Sequence, residues 1–423
     1  MEQTMKKINR SIKLFPIFSC IAEDLILFIP IDMLFLSIAK GLNASQIASI
    51  TMISLLVCIV TQKMILKGIK KLGNIKSVRL GTFLIFISSI LLTFGSSFPL
   101  ILLYRSIFEI GMLLMHMIYV ILNNNLKSVN NLEEYSKIRN KANIMYAVIT
   151  MITALLSGYL FNLNNYLPMY LQIILYFVIF VMSFGFYENN KEALNERISI
   201  NSEETEKIEK DNIKTTNNKQ ISSITTLLLL SSVFTSGIIK MGQSNSKLFM
   251  QYDFLEFLTL ENVIYYITVI VFISRIARII GNVIFDKIYP KLKDKTNIIL
   301  SLLLAISFLF IIIGHYLQVE FIYKVIFMAI GFCLILAIRA PLFVYLDDIA
   351  LKVVKIEEKE EIITKLGVAR NIGNLLMSTI FTFVLVKYDL IVVIFSLLVL
   401  AIIGIILNKV LYYKLKLIYK NEL

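Results

Sequence analysis

The chain has 423 residues, 57% of them hydrophobic, and a mean hydropathy of +0.78, above the roughly 45–50% apolar content of soluble domains. Its formal charge is +13, but the cations are spread over loops between apolar stretches rather than gathered on one face, so nucleic acid is not an expected partner. Cys20, Cys58 and Cys333 lie inside apolar stretches without metal-ligand spacing, which argues against a disulfide framework, a zinc site or any other metal centre.

A hydrocarbon core about 30 Å thick requires about 20 apolar residues per helix. On that criterion the sequence predicts twelve transmembrane helices, over 12–39, 44–66, 77–95, 99–122, 142–161, 167–187, 222–248, 259–285, 296–314, 319–346, 364–386 and 389–412. The expected fold class is an all-α polytopic membrane protein. The first stretch follows a basic tail, as a signal peptide does, yet it is too long and lacks a small-residue cleavage site, so it reads as an uncleaved helix. Segment 188–223 is dense in Glu, Lys, Asn and Thr and cannot bury a core. It is expected to be a mobile cytoplasmic linker between a bundle over 1–187 and a second over 224–423.

Cations crowd alternate connections. Lys6, Lys7, Arg10 and Lys13 precede helix 1, and Lys67, Lys70, Lys71, Lys76 and Arg79 follow helix 2. The connections Asn43–Ser45, Ser96–Phe98, Asn162–Tyr166, Asp253–Glu261, His315–Glu320 and Lys387–Asp389 hold Lys387 as their one cation. Basic loops are retained in the cytoplasm, so both termini are expected there. The abundance of Ile, Asn and Lys points to an AT-rich bacterial genome, so the expected location is a bacterial cell membrane.

The two halves resemble each other, as the halves of secondary transporters do. Arg139-Asn140-Lys141-Ala142-Asn143 opens helix 5, and Arg370-Asn371-Ile372-Gly373-Asn374 opens helix 11. Ile110-Gly111 pairs with Ile330-Gly331, and Asn123-Asn124 with Asp347-Asp348. On these residues the chain resembles the major facilitator superfamily over nearly its full length. That family has a Gly-x-x-x-Asp-Arg/Lys-x-Gly loop between helices 2 and 3 and a second copy between helices 8 and 9. The second copy here is Asn282-Val283-Ile284-Phe285-Asp286-Lys287; the first reads Leu66-Lys67-Gly68-Ile69-Lys70-Lys71-Leu72-Gly73, with Lys70 at the usual Asp position. The resemblance implies two six-helix bundles and a cytoplasmic latch, for which Gly73, Arg275, Arg278, Asn282, Asp286 and Lys287 are the candidates. Arg105-Ser106-Ile107-Phe108-Glu109-Ile110-Gly111 is similar to the family's helix-4 Arg-x-x-x-Gly-x-Gly element.

Ionisable side chains inside a membrane mark functional sites by default. Helix 1 contains Glu23, Asp24 and Asp32; on a straight helix Asp24 and Asp32 lie about 80° apart, and Pro30 offers a bend. Asp24 and Asp32 are the expected cavity carboxylates, with Glu23 as a salt-bridge partner. In helix 4, Arg105, Glu109, His116 and Asn123 form one polar stripe at about 100° per residue. It has two readings: mutual neutralisation of Arg105 and Glu109 at i,i+4, or a cavity lining. Helix 7 carries Ser236, Lys240, Gln243 and Lys247, and helix 10 carries Lys324 and Arg339. Lys240 and Arg339 are deep enough to be cavity residues, whereas Lys247 and Lys324 near the outer ends are expected to snorkel.

Gly68-Ile69-Lys70-Lys71-Leu72-Gly73 has phosphate-loop glycine spacing, but Asn74 stands where Lys is required, which argues against ATP hydrolysis. His116 and His315 are the only histidines, and no hydrolytic triad appears, so the chain is expected not to be an enzyme and to need no cofactor. A carboxylate in a dry cavity has a raised pKa and exchanges its proton as access alternates. The expected function is a monomeric, proton-coupled secondary transporter exporting small amphipathic or cationic molecules. Its coupling candidates are Asp24, Asp32, Glu109 and His116; its solute candidates are Arg105, Asn123, Ser236, Lys240, Gln243 and Arg339. Uptake of a small organic anion, zwitterion or peptide is one alternative, and a non-transporting sensor or assembly partner is another.

Overall fold

Helix 1 is broken in the computed structural model of the chain, which describes residues 2–22, 24–131, 134–188, 218–292, 295–353 and 359–421. α1 runs Glu2–Ala22, and helical structure resumes only in the short α2, Ile29–Ala39. α2 is itself irregular: a 3-10 turn, one α turn beginning at Asp32, and a π turn over Phe35–Ala39. The expected continuous helix over 12–39 is therefore corrected. Two residues explain the break. Asp24 accepts from the Leu25 N–H at 3.0 Å, competing with the helix for that donor. Pro30 has no N–H and disfavours α geometry at the residue before it.

The remaining helices are α3 (Ala44–Leu72), α4 (Asn74–Phe94), α5 (Phe98–Met115), α6 (Ile118–Ser128), α7 (Glu134–Leu163), α8 (Leu167–Ser183), α9 (Asn218–Leu255), α10 (Leu260–Leu292), α11 (Thr296–Tyr316), α12 (Phe321–Val353), α13 (Lys359–Lys387) and α14 (Leu390–Asn421). Among the described residues, ten helical stretches are long and apolar enough to cross a membrane, and α2 and α8 are shorter apolar helices. α5 and α6 form one stretch, interrupted by a turn at His116 and Met117. The molecule is thus an all-α polytopic membrane protein with twelve spans.

By contacts the chain divides into two units. The first is Met1–Pro30 with Leu56–Ile213; the second is Ile31–Leu55 with Lys214–Leu423. Most of α2 and the start of α3 therefore cluster with the second unit. The expected linker falls, over residues 189–217, outside the described residues.

Within the units the same helix pairs recur. In the first, α1 packs on α7, α4 on α5, and α4 on α8; in the second, α9 packs on α13, α11 on α12, and α11 on α14. The glycine match seen in sequence is a packing match. A Cβ at Gly111 would meet Ile85 Cγ1 at 2.8 Å and the Gly81 carbonyl at 2.9 Å. A Cβ at Gly331 would meet Ile311 Cγ1 at 2.7 Å and would collide with the Ser307 carbonyl. Helix backbones approach this closely in membranes only where the interface residue is small. The arginine match is structural too: Arg139 lies 4.5 Å over the Tyr119 ring, and Arg370 4.7 Å over the Phe343 ring.

Candidate transport site

In the first unit the site is built around the break. Backbone donors freed inside a bilayer must find internal partners. The Leu27 N–H does so by donating to Gln172 Oε1 of α8 at 2.9 Å. Gln172 and Tyr176 are one turn apart on α8 and fully buried. Gln172 Nε2 and the Tyr176 hydroxyl have no hydrogen-bond partner among the described residues. Two polar groups are thus buried beside the broken helix without a partner among the described residues.

On α5, Arg105 Nη2 meets Glu109 Oε1 at 2.6 Å, with both side chains about one-fifth exposed at 22% and 21%. Asp24 and the Tyr104 hydroxyl lie within electrostatic reach of the same guanidinium. The i,i+4 pairing read from the sequence is present, and its members remain accessible. Two carboxylates, Asp24 and Glu109, thus act on one guanidinium.

The polar stripe does not continue straight. His116 sits at the turn ending α5, its ring centroid 5.9 Å from that of Tyr119. Asn123 lies beyond the turn on α6, half-buried. Its neighbours have structural bonds: Asn124 Nδ2 donates to Glu188 at 2.8 Å, and Asn125 Nδ2 donates to the Tyr187 carbonyl at 2.8 Å. Glu188 also accepts from Asn74 Nδ2 at 2.7 Å, closing a polar cluster at the ends of α4, α6 and α8. Glu23 lies outside the described residues.

In the second unit, two of the expected solute residues are brought together: Arg339 Nη1 donates to Gln243 Oε1 at 3.0 Å. Ser236 instead donates to Asn374 Oδ1 of α13 at 2.8 Å. Lys240 lies half-buried on α9 between them in sequence. Asp24 and Asp32 do not share one continuous helix, which is broken between them; Asp32 belongs to the second unit and pairs with Lys247 of α9. One turn along α9, Gln251 Nε2 donates to Ser37 Oγ at 2.6 Å, so α2 is fastened to α9 at two points.

Neither outer lysine snorkels. Lys247 is 5% exposed, and Lys324 is 6% exposed. Lys324 Nζ pairs with Asp253 Oδ2 at 3.0 Å, while His315 Nδ1 meets Asp253 Oδ1 at 2.6 Å. A long lysine is expected to reach for the headgroups unless an acid is near; the acids here lie far away in sequence, so the local pattern gave no sign of them. Asp253 and His315 border a cavity of about 730 Å³, with Asn43, Phe249, Tyr388 and Asp389 among its lining. Four of the cation-poor connections therefore meet at one cavity. Among the described residues no group of three His, Cys, Asp or Glu is placed to hold a metal ion.

The latch candidates divide. Gly73 takes φ +80°, a value that favours glycine, at the turn into α4. Arg275, Arg278 and Asn282 lie half-buried along α10, and Lys287 is exposed. The Asp286 side chain lies outside the described residues. Near this end α10 and α13 are tied to α12 by pairs that the latch motif does not include. Tyr289 donates to Asp348, and Arg370 Nη2 bonds Asp347 Oδ1 at 2.5 Å.

The profile of the Major Facilitator Superfamily matches residues 13–353. The chain belongs to this superfamily. Solved relatives agree in fold. The nucleoside transporter NupG shares 10% identity at a TM-score of 0.64, covering 96% of this chain and 99% of its own. A D-xylose-proton symporter shares 12% at 0.65, covering 96% of each chain. A bacterial homologue of the iron transporter ferroportin, in an inward-facing state, shares 12% at 0.66, covering 96% of this chain and 98% of its own. No curated protein matches the sequence. The superfamily member is a secondary transporter, not an enzyme, and it acts on a small molecule from within the lipid bilayer.

Proposed function

We propose that this superfamily member is a proton-coupled transporter that works by alternating access and exports small amphipathic or cationic organic molecules. The observation carrying this reading is the break in helix 1. It leaves Asp24 among Tyr104, Arg105, Glu109, Gln172 and Tyr176, where two acids act on one base and two buried polar groups on α8 lack partners. Such a site takes up a proton or an organic cation, and competition between the two couples their fluxes. The Asp32–Lys247 pair supplies a second carboxylate with a different consequence. Protonating Asp32 removes the counter-charge of a buried ammonium and loosens one of the two bonds fastening α2 to α9. That one solved relative is a D-xylose-proton symporter supports proton coupling as the driving force.

The moving bodies in this reading are the bundles over 1–187 and 224–423. They are joined by the cytoplasmic segment 188–223, in a monomer with both termini on the cytoplasmic side of a bacterial cell membrane. A second reading, uptake of a small organic anion, zwitterion or peptide, is favoured by the cations Lys240 and Arg339 among the solute candidates of the second unit, where Arg339 meets Gln243. Another solved relative, the peptide transporter POT in complex with sulfate, supports that alternative. A thermal-shift screen of purified protein against organic cations, anions and zwitterions at several pH values tests the choice. Export of cations predicts stabilisation by cations that weakens as pH falls. Stabilisation by anions alone, strengthening as pH falls, selects the second reading.

A further inference from the structure

The cavity bordered by Asp253 and His315 lies wholly within the second unit. It is separate from the Arg339–Gln243 pair: Asp253 stands about 15 Å further along α9 than Gln243, and neither member of that pair lines the cavity. Its volume of about 730 Å³ falls among small-molecule sites, which hold about 300–1,000 Å³ and combine apolar and aromatic walls with a few polar groups. The walls here include Phe249, Tyr252, Tyr388 and Leu390, and the two tyrosines are exposed. The charge in the lining has one sign. Asp253, Glu256 and Asp389 contribute to it, and no Lys or Arg does. Asp253 is already held by Lys324 and His315. Glu256 and Asp389 are exposed and form no ion pair among the described residues. Lys387 lies outside the lining, its ammonium 5.5 Å from the Tyr388 ring centroid, so a cation is already drawn to that aromatic face.

We propose that this cavity is a binding site for a small organic cation, additional to the candidate transport site. The ammonium lies among Glu256, Asp389 and the tyrosine rings, and its apolar substituent lies against Leu390 and Ile391. An anion would face carboxylates alone, and a neutral solute would leave Glu256 and Asp389 without a counter-charge. A metal ion fits less well, because no group of three His, Cys, Asp or Glu among the described residues is placed to hold one. Each carboxylate about 6 Å from the bound charge contributes about threefold in affinity at the dielectric of water. The site does not depend on which solute the candidate transport site carries or on proton coupling.

The chain contains no tryptophan, so Tyr388→Trp or Tyr252→Trp installs a single fluorophore in the cavity wall. Titrating each purified variant with benzyltrimethylammonium, benzyl alcohol and benzenesulfonate tests the site. The cation should change the Trp emission saturably and bind about tenfold more tightly than either other probe. Adding Glu256→Gln/Asp389→Asn should weaken it about tenfold, with the melting temperature of the Trp parent unchanged. If that double variant melts early, the single substitutions decide instead, each with an expected loss of about threefold. Adding Asp24→Asn, in the first unit, should leave the Trp response as it was. The proposal is overturned if neither Trp variant responds saturably to the cation, or if benzyl alcohol or benzenesulfonate binds as tightly. It is also overturned if removing the two carboxylates leaves the affinity intact, or if Asp24→Asn abolishes the response.

Discussion

The Lys247 ammonium closes onto the Asp32 carboxylate, joining the C-terminal part of α9 to the first α turn after the helix-1 break. Lys247 is buried, so the pair joins two side chains held away from water. Asp32 also accepts from the Met33 N–H at 2.8 Å, which fixes the carboxylate in place. Lys247→Gln and Asp32→Asn should each destabilise the protein, by about 1–3 kcal/mol, because each leaves a buried group without its charged partner. The double substitution should cost less than the sum of the two. A double-mutant cycle on melting temperature measures this coupling; strictly additive effects would mean that the pair does not form.

Gln172 should matter for stability although it is neither charged nor part of a recognised motif. Gln172→Leu removes the acceptor for the buried Leu27 N–H and should cost about 1–3 kcal/mol. Gln172→Glu keeps an acceptor and should recover part of the loss. Thermal unfolding in detergent checks both, and an unchanged melting point for Gln172→Leu would show that Leu27 has another partner.

Gly111 and Gly331 occupy equivalent close crossings, so Gly111→Ala and Gly331→Ala should each destabilise, by about 1–3 kcal/mol through overpacking. Gly367→Ala, whose Cβ meets nothing within 4 Å, should be neutral. Comparing the three melting temperatures separates close packing from a general effect of replacing glycine.

Much of the architecture is legible in the residues themselves. Apolar length and alternating cations give the spans, and the Gly111/Gly331 and Arg139/Arg370 matches reflect real repeats of packing. The Arg105–Glu109 pair was legible for the same reason, since i,i+4 spacing is local. Helix 1 was misread because Asp24 and Pro30 act on the backbone, and a hydropathy profile does not register a lost hydrogen bond. Lys247 and Lys324 were misread because their acids lie far off in sequence, Asp32 by 215 positions and Asp253 by about 70. The role of Gln172 depends on a contact spanning 145 positions and has no local sign.

Asp24 and Arg105 should matter for transport more than Lys70 does. Asp24→Asn removes a titrating group beside Arg105 while preserving size, and Arg105→Ala should impair transport as well by leaving Glu109 without its partner. Lys70→Ala should have little effect, because Lys70 is exposed at the end of α3. Initial rates of flux in proteoliposomes rank the variants. Equal loss in Lys70→Ala and Arg105→Ala would argue against a special role for the α5 pair.

Proton coupling is tested most directly by lumenal pH. Proteoliposomes containing a pH-sensitive dye would be given a solute identified in the thermal-shift screen, with no imposed gradient. Solute movement through the wild-type protein should change lumenal pH in step with its flux. Asp24→Asn or Asp32→Asn should abolish the pH change, while solute-for-solute exchange survives in at least one of them. Solute flux of normal rate without any pH change in the wild type, or an undiminished pH change in both variants, would contradict the account.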